Sequence, residues 1–257
     1  MKEILFSIGP LHVYGYGVMI AIGVLAAYGM TEYRAKKLSL PDEHVFSLVI
    51  WCLVGGFAAS KLLFWITEWK TILEDPSFLL HSLGDGFVVY GGILGGILAG
   101  YVYCRKKRLA FFAFFDLVMP SIALAQGFGR IGCLLAGCCY GKETDSMCAI
   151  TFPMGGYAPG GVPLVPTQIY SSILDFLHCL LLLWIARHKQ DDGQVAACYL
   201  IFYSIGRFIL EFFRGDLERG SVGVLSTSQF ISIFTGAAGM ALFFLVSRKR
   251  KKENKRT

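Results

Sequence analysis

Gly129–Gly141 reads G-R-I-G-C-L-L-A-G-C-C-Y-G and ends an otherwise largely apolar run from Phe111 to Tyr140. About twenty apolar residues suffice for one helix to cross a bilayer, so the run predicts a membrane-spanning helix with Arg130 at membrane depth. An arginine there costs roughly 2.5–3.5 kcal/mol on insertion scales. A chain keeps such a group where it faces a polar cavity, a partner charge or an anionic ligand.

The rest of the sequence agrees with that first span. Of 257 residues, 55% are hydrophobic and 16% charged, with thirty glycines, which excludes an ordinary soluble domain. Seven spans are expected, at roughly 13–31, 45–67, 87–104, 111–139, 169–187, 195–213 and 228–247. The fold class is thus an all-α polytopic membrane protein, with one membrane domain over 1–247 and a basic tail over 248–257. The tail holds seven Lys/Arg and one acid, which accounts for the whole net charge of +6. A basic tail directly after a hydrophobic segment reads as cytoplasmic and lying on anionic lipid, and no nucleic-acid partner is expected. The Val13–Met30 run lacks a basic lead and a cleavage site, so it is expected to be a span and not a removable signal.

Orientation follows from the short loops. Arg34, Lys36 and Lys37, then Arg105 to Arg108, then Arg187 and Lys189, and finally the tail all belong inside by the positive-inside rule. The N-terminus, the 68–86 segment, the 140–168 loop and the 214–227 loop are then outside. The 140–168 loop, with Gly155, Gly156, Pro159, Gly160, Gly161 and Pro163, is expected to form no helix.

That orientation puts polar residues of six spans near the outer face. They are Tyr14 and Tyr16, Lys61, Tyr90, Arg130, Gln168 with Tyr170, and the series Arg207, Glu211 and Arg214, which share one helix face. Lys61 also fits a side chain snorkelling to the interface, and the tyrosines fit an aromatic belt. Arg130 and Arg207, with Glu211 the one clear acid nearby, leave spare positive charge. The planar fork of arginine suits a phosphate, and a lipid phosphate would supply the missing anion. The glycines of spans three and four fit either close helix packing or a broken helix lining a cavity.

Eight cysteines are present, mostly in apolar runs where a free thiol behaves as a small hydrophobe. Their spacing is not that of a secreted disulfide framework. With no paired C-x-x-C and with Cys138 adjacent to Cys139, no zinc site is expected.

Several blocks together resemble one family, the prolipoprotein diacylglyceryl transferases. Gly129–Gly141 is similar to the family signature G-R-x-G-N-F-x-N-G-E-x-x-G. Tyr16-Gly17-Val18-Met19 resembles Y-G-L-M, and Tyr90 through Gly96 resembles H-G-G-L-x-G-G. Val165 through Tyr170 resembles H-P-S-Q-L-Y, and Arg207 through Arg214 resembles R-x-x-x-E-F-F-R. The resemblance implies a seven-span enzyme of the bacterial cytoplasmic membrane with its active site towards the outer face. It would transfer diacylglycerol from phosphatidylglycerol to the lipobox cysteine of preprolipoprotein signal peptides, releasing glycerol phosphate. Its partners would be those two substrates and membrane lipids, with no cofactor or metal.

By the same resemblance Arg130 and Arg207 would stabilise phosphate charge, and Tyr90 would complete the catalytic set. Tyr16, Cys133, Gly137, Gly141, Gln168, Glu211 and Arg214 would bind substrate, and Lys61, placed by its position near the outer end of span two, is counted with them. The chain departs from the family pattern at several points. Tyr90 stands for a histidine, Cys133 for an asparagine, Ala136-Gly137-Cys138 for N-G-E, and Val165 and Ser171 for a histidine and a glutamate. A tyrosine of ordinary pKa about 10 is a poor base at neutral pH, so Tyr90 would orient substrate by hydrogen bonding. The phosphate side is intact and the thiol side altered, which leaves open a paralogue with another acceptor. A Cys138-Cys139 redox centre and a transporter are the remaining alternatives.

Overall fold

The computed structural model describes residues 4–8, 11–215 and 221–253. The end of the expected tail, 254–257, and part of the last loop expected outside, 216–220, lie outside the described residues. A hairpin of β1 (Ile4–Ile8) and β2 (Leu11–Tyr14) leads into α1 (Gly15–Lys37), so Tyr14 ends a strand where a span was expected. Then follow α2 (Val45–Thr67), the short α3 (Trp69–Glu74) and α4 (Phe78–His81), α5 (Val89–Lys106) and α6 (Phe111–Ala136). After α6 the chain forms a two-stranded ladder of β3 (Ile150–Thr151) and β4 (Pro163–Leu164), with no helix before α7 (Thr167–His188). It ends with α8 (Gln194–Leu210), the small hairpin β5 (Ser221–Val222) and β6 (Leu225–Ser226), and α9 (Thr227–Glu253). The last helix therefore runs into the basic tail as far as Glu253.

Six helical segments are long and apolar enough to cross a membrane: Gly15–Lys37, Asp42–Thr67, Phe111–Ala136, Thr167–His188, Gln194–Phe213 and Thr227–Arg248. Helix α5 coincides with the expected third span. It falls short of the six because its 18 residues include five glycines and the basic pair Arg105 and Lys106. At 1.5 Å per residue it is about 27 Å long, just under a hydrocarbon thickness of about 30 Å. Helix α6 is the most buried of the six, with half of its spanning window buried against 11–28% for the other five.

The chain divides into two compact units, one of residues 32–114 and one of the remainder. In the smaller unit α2 and α5 meet along small residues four apart. A Cβ on Gly91 would stand 2.6 Å from the Ala59 carbonyl oxygen, and one on Gly55 would stand 2.5 Å from the Ala99 Cβ. The glycines of α5 thus permit backbone-to-backbone packing, which is how helices gain dispersion energy in lipid. Lys61 of α2 is buried. It donates to the main-chain oxygens of Ser82, of Asp85 at 2.5 Å and of Gly86 at 3.3 Å, with Phe64, Trp65 and Phe87 around it. It ties the 82–86 loop to α2 and does not snorkel.

In the larger unit a core of Met119 and Ala123 from α6, Cys179 and Leu182 from α7, and Val195, Ala196 and Tyr199 from α8 holds three helices together. The fully buried Asp116 caps α8 from a distance. Its carboxylate accepts hydrogen bonds from the N–H groups of Gly193 and Ala196, each at 2.9 Å, and from Lys189 Nζ at 2.9 Å. The first N–H groups of a helix have no partner inside it, so a carboxylate there both satisfies donors and matches the helix dipole.

Candidate active site

The site begins where α6 stops. Gly137 takes the left-handed conformation at φ +72°, its N–H donates to the Leu134 carbonyl at 3.3 Å, and the Cys138 N–H reaches the Cys133 carbonyl at 3.1 Å. This is the Schellman termination, which glycine adopts without a Cβ penalty and which sets the residue after the glycine against the fourth-last residue of the helix. Here those residues are Cys138 and Cys133. Cys139 is also left-handed, at φ +60°, and all three sulfurs lie within 4.8 Å of one another.

The strand leaving this turn is clamped from two sides. Gln168 Nε2 donates to the Cys138 carbonyl and Thr167 Oγ1 to the Cys139 carbonyl, both at 2.8 Å, from the first turn of α7. Gly141 N–H donates to the Val165 carbonyl at 3.1 Å, Lys142 N–H to that of Phe213 at 3.0 Å, and Gly215 N–H to that of Tyr140 at 3.1 Å. The main chain around Gly141 therefore joins the segments after α6, before α7 and after α8. A Cβ on Gly141 would stand 2.5 Å from the Val165 oxygen and 2.9 Å from the Phe213 oxygen, so only glycine fits.

These clamps hold the arginines. Arg130 of α6 faces Asp175 of α7, with Nε 3.9 Å from Oδ2. Arg207 of α8 pairs with Glu211 one turn on at 2.9 Å and donates to Ser228 Oγ of α9 at 2.8 Å. Arg214, also buried, reaches the same Glu211 oxygen at 3.9 Å and contacts the Cys139 sulfur. Arg130 and Arg207 both line a cavity of about 230 Å³, together with Asp175, His178, Tyr203 and Ser171. Leu174, Leu177, Leu181, Phe202 and Leu210 supply its apolar wall. A volume at or below the small end of ligand pockets suits a polar headgroup, with apolar chains lying along the wall.

Asp175 corrects one expectation. Glu211 is not the one acid near the arginines, for three guanidiniums (Arg130, Arg207 and Arg214) face two carboxylates. Arg130 and Arg207 both reach the cavity, where a phosphate could meet them. A lone acid inside the apolar run I-L-D-F-L gave little signal. Its spacing did, since Asp175 lies four residues after Ser171 and so on the same helix face, where the family pattern expects an acid. His178 and Tyr203 were also passed over; each sits on a helix face continuous with Asp175 or Arg207.

The other expected site residues fall into two groups. Tyr16, in the first turn of α1, packs its ring against Gly132, within 3.1 Å of where a Cβ would be. With Arg130, Cys133, Gly137, Gly141, Gln168, Arg207, Glu211 and Arg214 it belongs to the larger unit. The amide oxygen of Gln168 is buried and accepts no hydrogen bond among the described residues. Tyr90, about two-fifths exposed in the first turn of α5, and Lys61 belong to the smaller unit.

A family model described as prolipoprotein diacylglyceryl transferase matches residues 3–245. The phosphatidylglycerol–prolipoprotein diacylglyceryl transferase of Clostridium tetani is 49% identical over 243 residues, covering 95% of this chain and 97% of that one. An enzyme of that name numbered 2, from Clostridium perfringens, is 47% identical over 253 residues, 98% of each chain. That from Staphylococcus haemolyticus is 33% identical across 96% of this chain and 88% of its own. Matched by the family model over residues 3–245 and 49% identical to a named member, the chain belongs to the prolipoprotein diacylglyceryl transferase family.

Proposed function

We propose that the protein transfers the diacylglyceryl group of phosphatidylglycerol to the lipobox cysteine thiol of a preprolipoprotein and releases glycerol phosphate. The observation that carries this reading is the cavity in which Arg130 and Arg207 meet against an apolar wall. In the reaction the cysteine thiolate attacks the glyceryl carbon, a C–S bond forms, the C–O bond to phosphate breaks, and the phosphate leaves with the electron pair. Charge grows on the phosphate oxygens as the bond breaks. Preorganised guanidiniums out of water stabilise that growth more than they stabilise the bound lipid. The thiol proton must be removed, because thiolate is the nucleophile. Asp175 and His178 of the same cavity are groups able to accept it, and Tyr90 is assigned an orienting hydrogen bond.

Tyr16, Cys133, Gly137, Gly141, Gln168, Glu211 and Arg214 are proposed to shape the binding surface, and Lys61 to contribute by fixing the 82–86 loop. The protein is proposed to cross the bacterial cytoplasmic membrane seven times, with α5 as third span, the N-terminus outside and the cavity opening towards the outer face. Signal peptides and membrane lipids are then its partners.

The test is a transfer assay in detergent with headgroup-labelled phosphatidylglycerol and a lipobox peptide. Release of glycerol phosphate with a lipid-shifted peptide is expected. Arg130→Ala and Arg207→Ala should each lower transfer by at least about a hundredfold while inserting normally. Near wild-type activity in either variant removes that arginine from the role. Headgroup release without peptide modification would favour the second reading, suggested by Cys133 and Cys138 in the altered thiol side, that another acceptor is used.

A further inference from the structure

Cys133, beside its place in the binding surface, forms with Cys138 and Cys139 a cluster of thiols for which the transfer reaction has no chemical use. The helix cap brings Cys133 and Cys138 together, and the left-handed backbone at Cys139 turns the third thiol towards them. All three sulfurs lie within 4.8 Å, Cys133 buried and the others half-buried. Zinc was not expected, because the spacing C-x4-C-C offers no paired C-x-x-C. That spacing becomes a converging set only through the glycine turn, which no ligand-spacing rule anticipates.

We infer that Cys133, Cys138 and Cys139 form a binding site for a soft d10 metal cation held by three thiolates. At a metal–sulfur distance of about 2.3 Å, three sulfurs around one ion stand about 3.8–4.0 Å apart, so small side-chain rotations close the site. The donor set is sulfur alone, which selects copper(I), zinc or cadmium over magnesium, calcium or manganese. The carbonyls of Cys138 and Cys139 are already fixed by Gln168 and Thr167, so binding need order little main chain. Arg214 against the Cys139 sulfur offsets part of the negative charge of the thiolate set. Each thiol that binds gives up its proton to solvent, up to three per ion. A Cys138–Cys139 disulfide is the poorer use of these groups. Adjacent Cα atoms lie about 3.8 Å apart, below the 4.4–6.8 Å that an unstrained bridge spans.

The probe is cadmium chloride, added to the full-length, reduced protein in detergent and read by thiolate-to-cadmium charge transfer in the ultraviolet. One ion per chain is expected, with the X-ray absorption fine structure showing three sulfur neighbours. The double variant Cys138→Ser/Cys139→Ser should lose more than about tenfold in affinity. Cys148→Ser and Cys198→Ser should bind as wild type. Cys133→Ala gives a second variant should the double change disturb the loop, and unchanged helical circular dichroism serves as the folding control. An absent charge-transfer band, a shell without sulfur, or unaltered binding in folded ligand variants would overturn the site.

Discussion

Single side chains decide most of the chemistry, and they were unequally legible. Arg130 and Arg207 stood out because a charge in an apolar run demands a partner, and both line one cavity. Asp175 did not stand out, since its effect comes from the helix face it shares with Ser171. Lys61 fitted a snorkelling side chain as well as a substrate-binding one, because only the fold shows three loop carbonyls converging on its ammonium group. Tyr90 is the departure with most bearing on mechanism. If it orients substrate by one hydrogen bond, Tyr90→Phe should lower kcat/KM about five- to tenfold, equivalent to about 1–1.5 kcal/mol. Tyr90→His should retain most activity. A fully active Phe variant beside an inactive His variant would remove Tyr90 from the site.

At the scale of elements, apolar runs located every long helix but ended α1 and α9 six residues early, at 31 and 247 against Lys37 and Glu253, and left α3, α4 and the three small hairpins unseen. Those pieces are short and held by main-chain bonds, so no periodicity marks them. Glycine carried two meanings that composition could not separate: close packing along α5, and termination and close approach at Gly137 and Gly141. Gly141→Ala should destabilise by about 1–3 kcal/mol, because the Cβ meets fixed carbonyls. Gly17→Ala, with nothing within 4 Å, should be neutral or stabilising by about 0.5–1 kcal/mol. Melting temperatures in detergent compare the two.

The junction of α6 with α8 carries a pH signature. Burial acts to lower the pKa of Lys189, but hydrogen bonds to Asp192 and Asp116, with their charges, outweigh it and raise the pKa above its ordinary 10.5. A raised lysine pKa favours the folded protein fully below the unfolded value, and the advantage disappears as pH rises through the folded one. The stability gap between wild type and Lys189→Gln should therefore stay constant from neutral pH to about 10 and close above it. A constant gap through strongly alkaline pH would show that Lys189 acts without its charge.

For the whole molecule, the sign of the loop charges supports an orientation that helix geometry alone leaves open. Cys148 is exposed in the segment between α6 and α7, which tests it directly. A membrane-impermeant maleimide should label it on right-side-out spheroplasts, and Cys148→Ser should abolish that signal. Labelling only after lysis would reverse the orientation. The capping of α8 by Asp116 also bears on synthesis. Its partner Gly193 lies 77 residues downstream. While α6 leaves the ribosome, that carboxylate has no basic partner and no helix end to bind, and α7 must be made before either exists. The contacts that satisfy Asp116 are therefore expected to close only once α8 has begun, so that the start of α6 reaches its final packing late in synthesis.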